Sequence, residues 1–174
     1  DESTLRTVVN LPHGNGKKIK VAVLCEEGKI SEAKGSGADV TGSDNLVEEI
    51  MSGKINFDKL IATPAMMSKM GKLGKILGPK GLMPNPKLGT VSNNIQSAVK
   101  AIKSGQVEIK NDEDGNVGVS IGKKDFADNK IKENYDTLIQ SILKEKPNGI
   151  KGDFILSAFL TSTMGVSYRL KLGK

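Results

Sequence analysis

Residues Lys59–Gly89 read KLIATPAMMSKMGKLGKILGPKGLMPNPKLG. The stretch opens with a short apolar strand, KLIAT, and Pro64 follows where proline favours the first turn of a helix. Ala65, Met66, Met67 and Met70 continue that helix, the methionines as core filling. From Gly71 to Gly89 the reading changes to a Gly- and Pro-rich loop with repeated lysines. A buried strand handing over to a helix is one βα unit, and the neighbouring sequence repeats it. Lys18–Cys25 (KIKVAVLC) is a strand apolar enough at its end to be buried on both faces. Lys29–Lys34 is a short helix stopped by Gly35 and Gly37, and Ala38–Val40 a short strand. Asp44 is a suitable N-cap for a helix over Asn45–Ser52, with Leu46, Val47, Ile50 and Met51 as its stripe and Gly53 as its stop. Ser92 is placed to cap a helix running to Ser104, with Ile95, Ala98, Val99 and Ile102 inside and Gly105 ending it. Short apolar strands alternating with helices predict a small parallel sheet.

The flanks follow a different pattern. Leu5–Leu11 (LRTVVNL) is a strand ending in the turn formers Pro12-His13-Gly14-Asn15-Gly16. Gln106–Lys110 and Val117–Ile121 flank NDEDGN, a hairpin signal with Asp114-Gly115 as the turn. Asp128–Lys146 is a long amphipathic helix, Phe154–Ser162 a strand, Met164–Val166 a kink and Tyr168–Leu172 a last strand. Hairpin, helix and strands make an α+β unit with an antiparallel sheet, which the strand Leu5–Leu11 can rejoin. The expected organisation is two domains: residues 1–14 with 106–174, and an inserted α/β block, 15–105. The crossings near Gly14 and Gly105 are the expected hinges.

Charge and composition narrow the function. Lys59–Val107 contains no Asp or Glu but eight lysines: Lys59, Lys69, Lys72, Lys75, Lys80, Lys87, Lys100 and Lys103. Such a run suits a polyanion better than a small substrate. The net charge of +6 and a pI near 9.3 agree. Arg6 and Arg169 are the only arginines, so phosphate contact by mobile point charges outweighs rigid guanidinium readout. With Tyr135, Tyr168, four Phe and no Trp, the chain lacks the platforms on which a module stacks several unpaired bases. RNA recognition would rest on backbone, ribose and folded shape. Cys25 is the only cysteine, so no internal disulfide forms and a reducing compartment fits. No apolar run approaches the roughly 18–20 residues of a membrane span. The first residues, DESTLRTVVN, lack the basic start and apolar stretch of a signal peptide.

Motifs for chemistry are weak. His13 stands in a turn with no serine or cysteine in a nucleophile context, and reads as structural. Gly14-Asn15-Gly16 precedes a strand rather than following one and lacks the third glycine of a dinucleotide fingerprint. The Gly-Lys pairs at Gly16, Gly71 and Gly74 do not meet the phosphate-loop pattern. Asp112, Glu113 and Asp114 read as a solvated turn. A nucleotide- or phosphosubstrate-binding enzyme on the α/β block is the competing class. No cofactor, metal or catalytic residue is expected. In SAFLTSTMG, by contrast, Ser157, Thr161 and Thr163 are spaced by even numbers, so on one extended strand they share a face. Short hydroxyls there can bond phosphates and ribose 2′-hydroxyls, with Met164 and the bare Gly165 backbone beside them.

Leu11-Pro12-His13-Gly14, the run Gly74–Lys87 (GKILGPKGLMPNPK), Gly89-Thr90-Val91 and Ser162-Thr163-Met164-Gly165 occur in this order. Together they resemble the family of the first protein of the large ribosomal subunit in its bacterial-type form, the protein of the mobile lateral stalk. The resemblance covers the whole chain. It implies a discontinuous α+β RNA-binding domain and an inserted three-layer, Rossmann-like α/β domain. It implies binding to stalk rRNA, help in releasing deacylated tRNA from the exit site, and repression of its own operon mRNA. A monomer off the ribosome and a ribosome of a bacterium or organelle are further implications. Ser157, Thr163, Met164 and Gly165 fall on the family's RNA-contacting positions, with Lys110 as a further candidate. Lys72, Lys75, Lys80 and Lys87 are candidates for tRNA or secondary RNA contact. Family members begin with a further segment that carries part of the RNA surface, so this chain is expected to be truncated. Val166 stands where a proline often follows the Thr-Met-Gly turn.

Overall fold

A computed structural model describes residues 4–172 of the chain. Its centre is a three-stranded parallel sheet in the order β3-β2-β4, with β2 at Val21–Leu24, β3 at Val40–Gly42 and β4 at Lys59–Ala62. A one-residue parallel bridge between Ala62 and Val91 extends it beyond β4. Alternation sorts each strand between two cores. Ala22, Leu24, Leu60 and Ala62 face α2 (Asp44–Met51) and α3 (Met67–Leu77). Val21, Val23, Cys25 and Ile61 face α1 (Ile30–Gly35) and α4 (Ile95–Lys103). The expected strands with both faces buried, and the three layers, are therefore present. Burial pushes the Cys25 thiol pKa up, so it stays a small hydrophobe.

Several local expectations need correction. The lysine stretch is not all loop: Gly71–Leu77 belongs to α3. Met70, Leu73 and Leu77 make a fully buried stripe, and their burial outweighs roughly 1 kcal/mol lost at each interior glycine. The loop proper begins after Gly78, and Pro86–Leu88 forms a 3-10 turn. Asp44 lies inside α2; Ser43 precedes the helix, and the Asp44 carboxylate pairs with Lys69. α4 is capped by Asn94, not Ser92: Asn94 Oδ1 accepts the Ser97 N–H at 3.0 Å. Ser92 Oγ in turn accepts the Asn94 N–H at 3.0 Å.

Around this block, β1 (Arg6–Asn10) pairs antiparallel with β5 (Gln106–Lys110) from Arg6↔Lys110 to Asn10↔Gln106. The amino-terminal strand does return, as expected. The second hairpin strand does not form: β5 takes β1 as its partner, and only an Asn111↔Val117 bridge links it to Val117–Ile121. Val117, Val119 and Ile121 still point inward, onto a third core of Val9, Leu11, Ile109, Leu138 and Ile142. The turn between is held by Asp112, whose carboxylate accepts the N–H of Asn116 at 2.7 Å and of Asp114 at 3.1 Å, with Gly115 at φ +81°. The Asn116 hydrogen bonds keep the Asp112 pKa below the usual carboxylate value. α5 (Asp128–Lys144) lays Leu138 and Ile142 on the same core. Finally β6 (Ala158–Leu160) and β7 (Tyr168–Leu170) form an antiparallel pair, shorter than the expected Phe154–Ser162 and Tyr168–Leu172.

The two crossings touch. A Cβ built on Gly105 (φ +109°) would stand 2.6 Å from Gly14 Cα, and Leu11 N–H donates to Gly105 O at 3.2 Å. Asn134, fully buried on α5, fixes the first crossing. Its Oδ1 accepts the His13 N–H at 3.1 Å, and its Nδ2 donates to Gly14 O and Ile121 O, each at 2.8 Å. The His13 ring pairs with Glu133. Lys20 is held from the other side, its N–H donating to Asp58 Oδ2 at 3.0 Å.

Asn134→Ala would leave a part-buried amide and two part-buried carbonyls without their partners. The expected loss is about 1–3 kcal/mol in urea unfolding, with Gly105→Ala also destabilising through its backbone clash. Asp39 accepts the Val21 N–H at 2.9 Å and faces Lys103 at 3.3 Å; the backbone bond first, then the lysine, lowers its pKa. A lowered carboxylate pKa stabilises the fold above the ordinary carboxylate range, and that stability is lost as pH falls through the folded value. Asp39→Asn should therefore be less stable than wild type at neutral pH, by under about 1 kcal/mol for so exposed a pair. The two curves should converge in acid, read from urea unfolding across a pH series.

Candidate nucleic-acid interface

Two groups of expected site residues lie on different elements. The first is the lysine run. Three of its eight lysines are paired with carboxylates from outside it: Lys59 with Glu108 at 3.5 Å, Lys69 with Asp44, and Lys103 with Asp39. The run is thus less uncompensated than its composition implies. Lys72, Lys75, Lys80 and Lys87 have no carboxylate partner among the described residues, and all four are exposed. Lys72 and Lys75 sit on the outer side of α3, whose buried stripe fixes their direction; Lys80 lies in the loop and Lys87 in the 3-10 turn. Asn85 closes that turn, its side chain accepting the Lys87 N–H at 2.9 Å. Each of these lysines presents an exposed, hydrated positive charge, suited to phosphates rather than to a desolvated small molecule.

The second group is the β6–β7 hairpin. The chain reverses through Ser162–Gly165, closed by Gly165 N–H to Ser162 O at 3.1 Å. Thr161 commits its hydroxyl proton to this turn, donating towards Ser162 O at 2.9 Å and Gly165 O at 3.3 Å. Ser157 and Thr163 are exposed. The regular strand ends at Leu160, so the hydroxyls do not form one straight row: Ser157 precedes the strand, Thr161 follows it and Thr163 sits in the turn. Met164 projects at the tip, 96% exposed. A Cβ on Gly165 would stand 2.1 Å from Ser162 Oγ, so glycine leaves the turn backbone uncovered while Ser162 keeps its rotamer. Lys110 ends β5, exposed and opposite Arg6; Arg6 is drawn to Glu108 at 2.9 Å, which leaves Lys110 the outward cation of that pair.

The sequence reading did not include two side chains of this hairpin. Phe159 pairs in register with Arg169, and both are exposed. Their signal was the same period of two that linked Ser157 to Thr161, since residue 159 lies between them. Residues 154–172 also contain no Asp or Glu. No group of three or more His, Cys, Asp or Glu side chains is placed to hold a metal ion among the described residues, and none of their helices is long and apolar enough to cross a membrane.

Compared with known proteins, residues 1–166 match the Ribosomal protein L1p/L10e family. A protein of Pelagibacter ubique named large ribosomal subunit protein uL1 is 59% identical over 174 residues, 99% of this chain and 76% of that protein. Proteins of the same name from Rickettsia akari and Rickettsia peacockii are 49% and 48% identical over 171 residues, 98% of this chain and 72% of each relative. The chain belongs to the ribosomal protein L1p/L10e family.

Proposed function

We propose that the chain is a non-catalytic constituent of the large subunit of a bacterial-type ribosome, in the cytoplasm, and that it binds the stalk region of large-subunit rRNA. Family membership supports the ribosomal role, since the relatives carry ribosomal and not enzyme names. The observation that carries the RNA reading is the β6–β7 hairpin. It offers exposed hydroxyls, an exposed methionine and a glycine backbone at one tip, in a segment, 154–172, that holds Arg169 and Lys171 and no Asp or Glu. Short donors and acceptors around an apolar contact fit a folded RNA surface of ribose and phosphate. Exit-site tRNA is the second ligand of this reading, with Lys72, Lys75, Lys80 and Lys87 as its contacts. Repression of the chain's own operon mRNA follows if that transcript presents the same RNA shape as the stalk.

In the same reading, residues 1–14 and 106–174 form the RNA-binding body and 15–105 the mobile one. Gly14 and Gly105 lie where the chain crosses between them. The segment that follows Gly14 is tied at Gly14 by Asn134, at Lys17 by Asn15 and at Lys20 by Asp58. Open clefts of about 670 and 540 Å³ flank that segment, and both are lined by Asn15, Lys17, Lys18 and Ile19, leaving room for movement.

Two measurements test the reading. In a competition titration, the chain should prefer a stalk rRNA fragment to an unrelated hairpin of equal length. Thr163→Ala or Met164→Ala should weaken that binding by about 1–3 kcal/mol. Equal affinity for both RNAs would refute stalk recognition, and unchanged binding by both variants would remove these residues from the site. Replacing Lys72, Lys75 and Lys80 by Gln should lower tRNA association more at low salt than at high salt. The slope should flatten by about 0.7–0.9 log units per log salt for each phosphate that is no longer neutralised.

A further inference from the structure

We infer that the outer face of the β6–β7 hairpin is a seat for one unpaired RNA base, formed by the Phe159 ring with the Arg169 guanidinium beside it. The inference rests on the RNA-binding reading above and specifies a contact within it. Of the six aromatic side chains, Phe57 is buried, and Phe126, Tyr135 and Phe154 are partly buried. The two exposed ones, Phe159 at 60% and Tyr168 at 67%, both stand on this two-stranded sheet. Register places them on opposite faces. Phe159 opposes Arg169, while Tyr168 opposes Leu160, on the face that also carries the half-buried Ala158 and Leu170. Phe159 therefore lies on the face opposite the half-buried Ala158 and Leu170, with Ser157 just before the strand and Thr161 just after it.

Each neighbour of the ring suits a nucleotide. Directly opposed side chains on antiparallel strands stand about 4.5–5.5 Å apart at Cβ, so the guanidinium reaches the edge of the ring and the phosphate of a base stacked on it. Ser157 can bond a ribose 2′-hydroxyl at one end of the seat, and Met164 meets the same strand of RNA at the turn. Residues 154–172 hold Arg169 and Lys171 and no carboxylate. A second copy of this hairpin is disfavoured, because stacking the two outer faces would set these cations against their own equivalents. A polyanion with an unpaired base satisfies both the ring and the charge.

The test uses this chain and a stalk rRNA fragment carrying 2-aminopurine, placed in turn at each unpaired position. Binding should quench the fluorescence of one position by stacking. Phe159→Leu, which keeps an apolar side chain, should abolish that quench and weaken binding roughly 5- to 150-fold, the range for one base on an aromatic ring. Arg169→Gln should flatten the salt slope by about 0.7 log units per log salt. Tyr168→Leu, on the other face, should leave quench and affinity unchanged. If the wild-type chain does not prefer stalk RNA at all, the parent reading fails. If it does, and Phe159→Leu binds within about twofold with its quench intact, the seat alone is refuted. Equal losses for Phe159→Leu and Tyr168→Leu would trace the effect to hairpin order and refute it too. Dimerisation that Phe159→Leu abolishes without altering RNA binding would give the face to a second copy.

Discussion

The contact between Gly14 and Gly105 closes the chain on itself, and the rest of the structure depends on that closure. Segment 11–105 leaves β1 and returns to β5 at one point, where Asn10 pairs with Gln106. The entropy of joining such distant ends grows only with the logarithm of loop length, so a long insertion costs little more than a short one once it folds itself. The insertion does fold itself: its sheet has a separate core on each face. What closure demands is close backbone approach, and two left-handed glycines allow it. Any side chain at residue 105 would push the crossings apart and pull β1 out of register with β5.

Electrostatics divides the lysine run by partner rather than by sequence. Lys59 lies at the start of β4 and shares Glu108 with Arg6, so its charge ties the parallel sheet to the β1–β5 pair. Lys69 ties α3 to the first turn of α2, and Lys103 secures α4 to the loop at Gly37 and Asp39. The lysines further along α3 and its loop meet no such acid among the described residues, and they keep their charge available to solvent and to phosphates. A surface ion pair adds at most about 1 kcal/mol, so the paired lysines matter more for the direction they give each element than for stability.

Much of this was legible in the sequence. The strands β2 and β4, at the apolar cores of the expected Lys18–Cys25 and Lys59–Thr63, announced themselves because burial on both faces requires an unbroken apolar run. The return of the first strand could be anticipated from its place before the βα block, although the hairpin partner expected for β5, Val117–Ile121, does not form a strand. Helix α3 was read short, since Gly71 and Gly74 suggest a loop while the stripe Met70, Leu73, Leu77 acts only through tertiary burial. Caps slipped by one or two residues for a similar reason: Asn94 and Ser92 are equivalent as residue types, and backbone geometry chooses between them. At the candidate site, Thr163, Met164 and Gly165 were legible as a turn. Phe159 was not, because total aromatic content says nothing about where the exposed rings stand.

The hairpin and its flanks carry most of the large exposed apolar side chains of the described residues. Two strands of three residues are marginal in water by themselves. Phe154 and Ile155, packed on the third core, tether its base, while Leu156, Met164 and Val166 stand largely in solvent. A protein gains nothing from such a face unless a partner removes it from water. Binding there would add its own free energy to the order of the hairpin, because a ligand that recognises only the folded form stabilises that form by mass action. On the proposed reading, recognition by shape then follows from the construction: a matching surface would have to cover both the hydroxyls and the apolar side chains of this short element, since one that covers only one of them leaves the other unsatisfied.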